Sequence, residues 1–158
     1  MTNFDDTCLT CLANNGKIYP IYADVSKDIP AHWFCRCYTS PLIAIYAGEA
    51  TNNGTSGADW YLKYFNELPE YYITRNDAEN LGWTPKSGNL HIVAPNKMLF
   101  GGRYKNRDKK LPDSPGRIWY EADINYTGGI RNSSRILYSN DGLVFVTYDH
   151  YFTFNQIC

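Results

Sequence analysis

Residues able to do acid–base and phosphate chemistry cluster in "RIWYEADINYTGGIRNSSRILYSNDG", positions 117–142. This stretch holds Glu121, Arg131 and Arg135, and His150 follows in "YDHYF". A carboxylate near cations stays ionised and can take a hydroxyl proton, while an imidazole can protonate a leaving oxygen. Guanidiniums match the geometry and developing charge of phosphoryl oxygens. The set predicts metal-free phosphodiester cleavage of RNA, whose 2′-hydroxyl is the nucleophile; the alternative is ordinary exposed strand charges in surface ion pairs.

The elements that must position these side chains are predicted from a period of two in the apolar residues. "NDG" at 140–142 predicts a tight turn between the last two strands. If the apolar row faces helices, Glu121 and Arg135 share the opposite, open face of the sheet, and Arg131 leans over it from a glycine-containing loop. The residues of the apolar row are Ala122, Ile124, Ile136, Tyr138, Val144 and Val146.

Helices are predicted before these strands. "ADWYLKYFNELP" has apolar residues at helical spacing until Pro69, and Thr74 with Asp77 resembles a capping box. "GNL" from Gly88 predicts a third short turn or helix. Helices followed by strands indicate an α+β fold, with the helices packed on one face of an antiparallel sheet.

Composition limits the kind of partner. The chain has 158 residues, enough for one domain or for one domain with a small appendage, and a net charge of −1. Nucleic-acid binding must therefore depend on a local patch rather than a global field. The sequence has no run of about 18 apolar residues, so no membrane span is predicted. "MTNFDDTCLT" lacks a basic and an apolar signal region, so we expect no secretory signal in this chain.

Four of the five cysteines lie in "CLTC" (8–11) and "HWFCRC" (32–37). This spacing is typical of a structural zinc site, with Cys8, Cys11 and Cys35 as ligands and Cys37 or His32 as the fourth. Disulfides or unconnected thiols remain the alternatives. "GEATNNGTSG" reads as a linker. The predicted organisation is a Cys-rich module at 1–47, a linker at 48–57 and a catalytic domain at 58–158.

From about 57 to 157 the chain resembles the barnase family of microbial guanyl-specific ribonucleases. The blocks that carry the resemblance are "LPEYYIT", "LGW", "KSGNL", "VAP", "KNRDKKLP", "GRIWYEADINYTGGIRNSSRILYSNDGL" and "DHYFTF". The resemblance implies a barnase-like fold and a metal-independent endoribonuclease that cleaves single-stranded RNA after guanine.

The resemblance also implies roles for individual residues. Glu121 matches the general base and His150 the general acid, while Arg131 and Arg135 match phosphate-stabilising arginines. Arg75 matches a phosphate-binding lysine, with altered geometry. Tyr151 matches an aromatic that stacks near the base. The guanine-recognition loop is matched by Tyr104, Lys105, Asn106, Arg107 and Asp108.

Three departures from barnase stand out. Asp108 replaces a Glu and is one methylene shorter. Gly102 stands where barnase has an Asp that supports its active-site lysine. The domain is neutral where barnase is basic, so we expect weaker long-range capture of RNA.

The segment from about residue 7 to residue 40 resembles, more weakly, the Cys-rich C-terminal end of phage Mu F-like head-morphogenesis proteins. Such modules occur fused to toxin domains in phage and polymorphic toxin systems. The expectation is a secreted or delivered toxin end of a larger protein, acting in the cytoplasm of a target cell. A barstar-like immunity protein is the expected partner of an otherwise monomeric chain. Its acidic face would cover Arg75, Arg107, Arg131, Arg135 and His150. The rivals are a non-catalytic RNA- or partner-binding module, which should have lost the acid or the base, and a structural phage protein.

Overall fold

The computed structural model describes residues 44–158. The predicted zinc ligands Cys8, Cys11, Cys35, Cys37 and His32 lie outside the described residues, so the metal site stays a prediction. Residues 44–105 and 118–158 belong to one compact unit, and Asn106–Arg117 belong to another.

Three α-helices lie in the first half of the described chain, close to their predicted positions. Their bounds are Ala58–Phe65 (α1), Arg75–Asn80 (α2) and Leu90–Val93 (α3). Asn66 ends α1 in the left-handed conformation, before Pro69. Thr74 caps α2, because its hydroxyl accepts the backbone N–H of Asp77 at 3.1 Å, as the capping box predicts.

Seven strands form a single sheet in the order β1-β7-β6-β5-β4-β3-β2. Their bounds are Ala44–Ile45 (β1), Tyr72–Thr74 (β2), Met98–Tyr104 (β3), Trp119–Asp123 (β4), Arg135–Ser139 (β5), Val144–Thr147 (β6) and Asn155–Ile157 (β7). The pairs from β3 to β7 are antiparallel. The outer pairs β1–β7 and β2–β3 are parallel. The fold is α+β as predicted, but the prediction of an antiparallel sheet is wrong at both edges, because β1 and β2 are too short to show a period-two pattern.

The apolar row lies on the helix side of the sheet. Ala122, Ile136 and Val146 are 0% exposed and pack in one core with Ala58 and Leu62 of α1. A second core joins α2 and α3 through Ala78, Trp83 and Leu90. Burial of these apolar surfaces fixes the strand register and therefore decides which side chains the other face presents.

The stretch predicted as a linker is bonded to α1. The Asp59 carboxylate is 0% exposed and accepts hydrogen bonds from Gly48 N at 2.7 Å, Ala50 N at 3.0 Å and Thr51 Oγ1 at 2.8 Å. A 3₁₀ turn follows at Gly54–Ser56. A buried carboxylate needs such donors. These three hydrogen bonds therefore attach the segment to α1.

Candidate active site

Glu121 lies on β4, opposite Leu137 of β5 and Gly102 of β3. Its side chain is half-buried on the face away from α1. A Cβ added at Gly101 would lie 2.8 Å from both Cγ and Oε1 of Glu121. The glycine therefore leaves the space in which this carboxylate sits.

Asp123 holds both arginines of the predicted set. Arg131 Nε lies 2.7 Å from Asp123 Oδ2 and Arg131 Nη2 lies 2.6 Å from Oδ1, which is a bidentate pair. Arg135 Nε lies 3.0 Å from the same Oδ1. Its N–H does not point at that oxygen, so this contact is an ion pair rather than a hydrogen bond. Two cations share one carboxylate, which leaves this group with a net charge of about +1.

Arg135 lies under the surface instead of on an open face. It is 5% exposed and Asp123 is 1% exposed. Arg135 Nη1 donates to the backbone oxygens of Asn132 at 2.7 Å and Ser134 at 2.6 Å. The expectation of an open sheet face is wrong here, because the Asp123 carboxylate pairs with the charge of the buried guanidinium and these carbonyls accept hydrogen bonds from its Nη1.

Arg131 is the more accessible arginine, with 24% of its side chain exposed. The hydrogen bonds to Asp123 raise its pKa against the opposing effect of burial, and the charges of Asp123, Tyr151 and Glu121 add smaller contributions. Arg131 is therefore a permanent cation in the neighbourhood of Glu121 and Tyr151.

A tight turn after β6 presents His150 and Tyr151. Both have left-handed backbone conformations, with φ of 56° and 71°, which are strained for residues other than glycine. Asp149 holds the turn, since Oδ1 accepts from Phe152 N at 3.1 Å and Thr153 N at 2.9 Å. Oδ2 accepts from the Thr153 hydroxyl at 2.7 Å. The bonds from Thr153 above all lower the pKa of Asp149 to about 2.

Tyr151 connects the predicted acid and base. Its hydroxyl donates to Glu121 Oε2 at 2.8 Å, and its ring lies 4.8 Å from the His150 ring between centroids. The same ring stacks on Tyr104 at 5.4 Å with 21° between the planes. Burial, then the bond to Glu121, raises the pKa of the phenol. The structure thus brings Glu121, His150, Tyr151 and Tyr104 together.

Arg75 is placed differently from the other predicted cations. It begins α2, directly after Thr74, which is opposite Phe100 in the β2–β3 pair. Its guanidinium lies 5.5 Å from the Trp83 ring centroid and 3.7 Å from Glu79. The guanidinium is therefore oriented along α2, and a phosphate role for it stays a prediction.

The predicted base-recognition loop spans both units. Tyr104 and Lys105 belong to the sheet unit, whereas Asn106, Arg107 and Asp108 belong to the other. Asn106 Oδ1 accepts from Leu111 N at 3.1 Å and its Nδ2 donates to Leu111 O at 2.9 Å, which closes the loop. Arg107 and Asp108 are exposed at the tip of the turn between these anchors.

Asp123 and Asp149 were not among the predicted site residues. A period-two signal for Asp123 exists, because it lies two residues after Glu121 on the same face and opposite Arg135. Asp149 carries only a local signal, an Asp followed four residues later by Thr153 in a segment without periodicity.

A family model described as ribonuclease matches residues 56–158. A ribonuclease of Bacillus intermedius is 46% identical over 108 residues, which cover 68% of this chain and 67% of that protein. A ribonuclease of Heyndrickxia coagulans is also 46% identical over 108 residues, covering 68% of this chain and 99% of that protein.

Among solved structures, the chain is similar to the crystal structure of ribonuclease Sa2 with guanosine-2′-cyclophosphate. The sequence identity is 22% and the TM-score is 0.35, over 55% of this chain and 94% of that one. Within residues 44–158, no helix is long and apolar enough to cross a membrane. The same residues show no group of three or more His, Cys, Asp or Glu side chains that could hold a metal ion.

Proposed function

Since this chain belongs to the ribonuclease family and is an RNA-cleaving enzyme, we propose that it cleaves single-stranded RNA by transesterification. The product is a 2′,3′-cyclic phosphate, which is hydrolysed in a second step. The observation that supports this most strongly is the meeting of Glu121 and Tyr151 at 2.8 Å, in a group that also contains Arg131 and the His150 ring.

In the first step the 2′-hydroxyl oxygen attacks phosphorus. The Glu121 carboxylate takes the hydroxyl proton while the O2′–P bond forms. The P–O5′ bond breaks, and the imidazolium of His150 gives its proton to the departing O5′. Each of these proton transfers contributes about 10²–10⁴-fold in rate.

In the second step water opens the cyclic phosphate and the two groups exchange roles. Neutral His150 takes a proton from the attacking water, and protonated Glu121 returns its proton to O2′. The enzyme regains its starting protonation, so the cycle is balanced.

Arg131 stabilises the negative charge that develops on the phosphoryl oxygens. Its bidentate pair with Asp123 fixes the guanidinium before substrate arrives, so little reorganisation is needed during the reaction. Arg135, which is 5% exposed, acts mainly by adding positive charge below this position.

We assign guanine on the 5′ side of the cut as the preferred base, on the resemblance of the loop that contains Asp108. Guanine offers N1–H and N2–H donors that one carboxylate can accept together, and adenine does not offer this pair. Asp108 is shorter than the Glu of barnase by one C–C bond, about 1.5 Å. Discrimination is therefore weaker than in barnase.

A panel of dinucleotides that differ only in the 5′ base tests the base preference. Guanine should be cleaved fastest, and Asp108→Asn should reduce the preference because one acceptor becomes a donor. Glu67→Gln, at an exposed carboxylate of the sheet unit, is the matched control and should not change it. Equal rates for all four bases, or a preference for a pyrimidine, would contradict the assignment.

The biological role we assign is that of a delivered toxin with an acidic, barstar-like inhibitor. The support is the resemblance of the Cys-rich segment to modules fused to toxins, together with the net positive charge around Arg131. Expression of the full chain should arrest bacterial growth, and the Glu121→Ala chain should not. If both chains were equally tolerated, this role would be wrong.

A zinc ion bound by Cys8, Cys11, Cys35 and either Cys37 or His32 belongs to the same proposal, and it takes no part in catalysis. Metal analysis of the purified full chain with thiol titration tests it. One zinc per chain with reduced cysteines is expected. Absence of zinc with oxidised cysteines would favour disulfides instead.

A further inference from the structure

The loop before Arg131 is held at one residue, Gly129, by hydrogen bonds to both its N–H and its C=O. Gly129 N donates to His91 Nδ1 at 3.2 Å, and Gly129 O accepts from the Tyr126 hydroxyl at 2.8 Å. His91 lies on α3 and is exposed. An exposed imidazole of helix α3 is thus bonded to the backbone of the arginine loop.

Close packing supports the same contact. A Cβ added at Gly128 would lie 3.4 Å from His91 Cγ, so the imidazole rests against this glycine. A Cβ added at Gly88 would lie 2.6 Å from the carbonyl carbon of Gly129 and from Ile130 N. The loop backbone therefore lies directly on α3 and on the turn that precedes it.

Arg131 lies two residues after Gly129 in the chain. Its guanidinium is fixed to Asp123 at 2.6 and 2.7 Å, whereas its own backbone is an irregular loop. The position of Gly129 therefore limits where the Arg131 side chain starts. A displacement of about 1 Å at a charged catalytic group is enough to reduce a rate.

The acceptor role of His91 depends on its protonation. Nδ1 accepts a hydrogen bond only when it carries no proton, and an imidazolium donates from both nitrogens. Imidazoles change charge between about pH 5 and 8. The titratable or charged groups on the segments packed here are Lys86 on the turn before α3, and Tyr126 and Arg131 on the loop.

We propose that His91 is a positioning residue for RNA cleavage: its neutral imidazole holds the Gly129 N–H, and with it the loop that places Arg131. Protonation of His91 replaces the acceptor by a donor facing the Gly129 N–H and loosens the loop. The result is a loss of activity at acid pH beyond the pH dependence of the cleavage reaction itself. The inference rests on the proposed phosphate role of Arg131.

The test uses the full chain and four variants. His91→Asn keeps an acceptor near the Nδ1 position and cannot titrate, and His91→Ala removes the acceptor. Ile92→Asn, at the next position of α3 and 68% exposed, is the matched control. Arg131→Ala tests the proposed function separately. Initial rates on a guanosine-containing dinucleotide are measured between pH 5 and 8, and folding of each protein is checked by urea unfolding.

At pH 8, the kcat/KM of His91→Asn should equal that of the parent. The kcat/KM of His91→Ala should be about 3- to 10-fold lower, mainly through kcat, because a loss of this size is the scale of one neutral hydrogen bond. The ratio of the parent rate to the His91→Asn rate should fall about 3- to 10-fold from pH 8 to pH 5, since any pH dependence that the two proteins share cancels in it. A flat ratio would overturn the proposal, as would parental activity of His91→Ala.

A second readout does not depend on activity. The Gly129 amide resonance in ¹H–¹⁵N spectra should move with the titration of His91 in the parent and not in His91→Asn. If the Gly129 amide resonance of the parent did not move with pH, the contact between His91 and Gly129 would be overturned. A different result would be an Arg131→Ala protein that cleaves at the parental rate while the Gly129 resonance still moves with pH. That result would overturn the phosphate role of Arg131, and the positioning role of His91 with it.

Discussion

The Tyr151 hydroxyl donates a 2.8 Å hydrogen bond to Glu121 Oε2, while its ring stacks on Tyr104 and contacts His150. Burial and then the bond to Glu121 raise the pKa of this phenol above its ordinary value, so the hydroxyl remains a donor over the whole neutral range. One side chain therefore orients the proposed base and also supports the predicted base-stacking surface.

Replacing Tyr151 with Phe separates these two contributions. The ring and its stacking remain, but Glu121 loses a donor that orients it. We expect kcat to fall about tenfold, the scale of a hydrogen bond to a charged group, with little change in KM. Initial-rate kinetics on a dinucleotide provide the measurement, and Tyr64→Phe, at an exposed tyrosine of α1, is the control. A larger change in KM than in kcat would show that the hydroxyl serves binding.

Gly101 and Gly102 should respond differently to the same added methyl group. In Gly101→Ala the Cβ meets Glu121 Cγ and Oε1 at 2.8 Å, so the flexible carboxylate must move. In Gly102→Ala the Cβ meets nothing within 4 Å, but the backbone has φ of +88°. Gly101→Ala should lose activity at least tenfold with little loss of stability, whereas Gly102→Ala should lose about 1 kcal/mol of stability and keep its activity.

Both quantities can be measured on the same two proteins, by urea unfolding and by initial rates. If Gly101→Ala kept the parental rate, the space above Gly101 would not be needed by the working carboxylate.

Asp123 is expected to matter for folding as well as for activity. Asp123→Asn leaves two guanidiniums beside a neutral side chain that is 1% exposed. Removing one partner of a buried ion pair costs about 3–5 kcal/mol, so the free energy of unfolding should fall by that amount and the rate should fall too. Glu121→Gln, two residues earlier on β4, is the control and should lose activity with little loss of stability. A stable Asp123→Asn protein would mean that the arginines find other partners.

Much of the sheet follows from simple patterning. The alternation around Ala122 and Ile136 places Glu121 and Arg135 on the face away from the helices because the side-chain period of a strand is two. The same alternation does not predict burial on that second face. Asp123 lies there at 1% exposure, because its charge is paired with Arg131 and Arg135, which follow it in the chain beyond the end of β4.

Other parts depend on contacts that no local pattern encodes. Strand β1 is two residues long and pairs with β7 at the other end of the described chain. The bond between His91 and Gly129 joins residues 38 positions apart. The left-handed conformations of His150 and Tyr151 are held by Asp149, in a turn without periodicity.

The pKa of Asp149 predicts an acid limit on stability. It is lowered from 3.8 to about 2 in the folded chain, so the ionised carboxylate stabilises the fold above about pH 4, and this contribution is lost as the pH falls toward 2. The parent should be more stable than Asp149→Asn at pH 6, and the two should converge near pH 2. Urea unfolding across this range measures the difference. A constant difference at every pH would mean that the charge of Asp149 is not what holds the turn.

In the proposed mechanism, Glu121 takes the hydroxyl proton and His150 protonates the leaving oxygen. The most direct measurement is the rate of 2′,3′-cyclic phosphate formation from a guanosine-containing dinucleotide, by the parent, Glu121→Ala and His150→Ala, each shown to be folded by urea unfolding. Each substitution should lower that rate about 10²–10⁴-fold. A folded Glu121→Ala or His150→Ala protein that forms the cyclic phosphate at the parental rate would contradict the account.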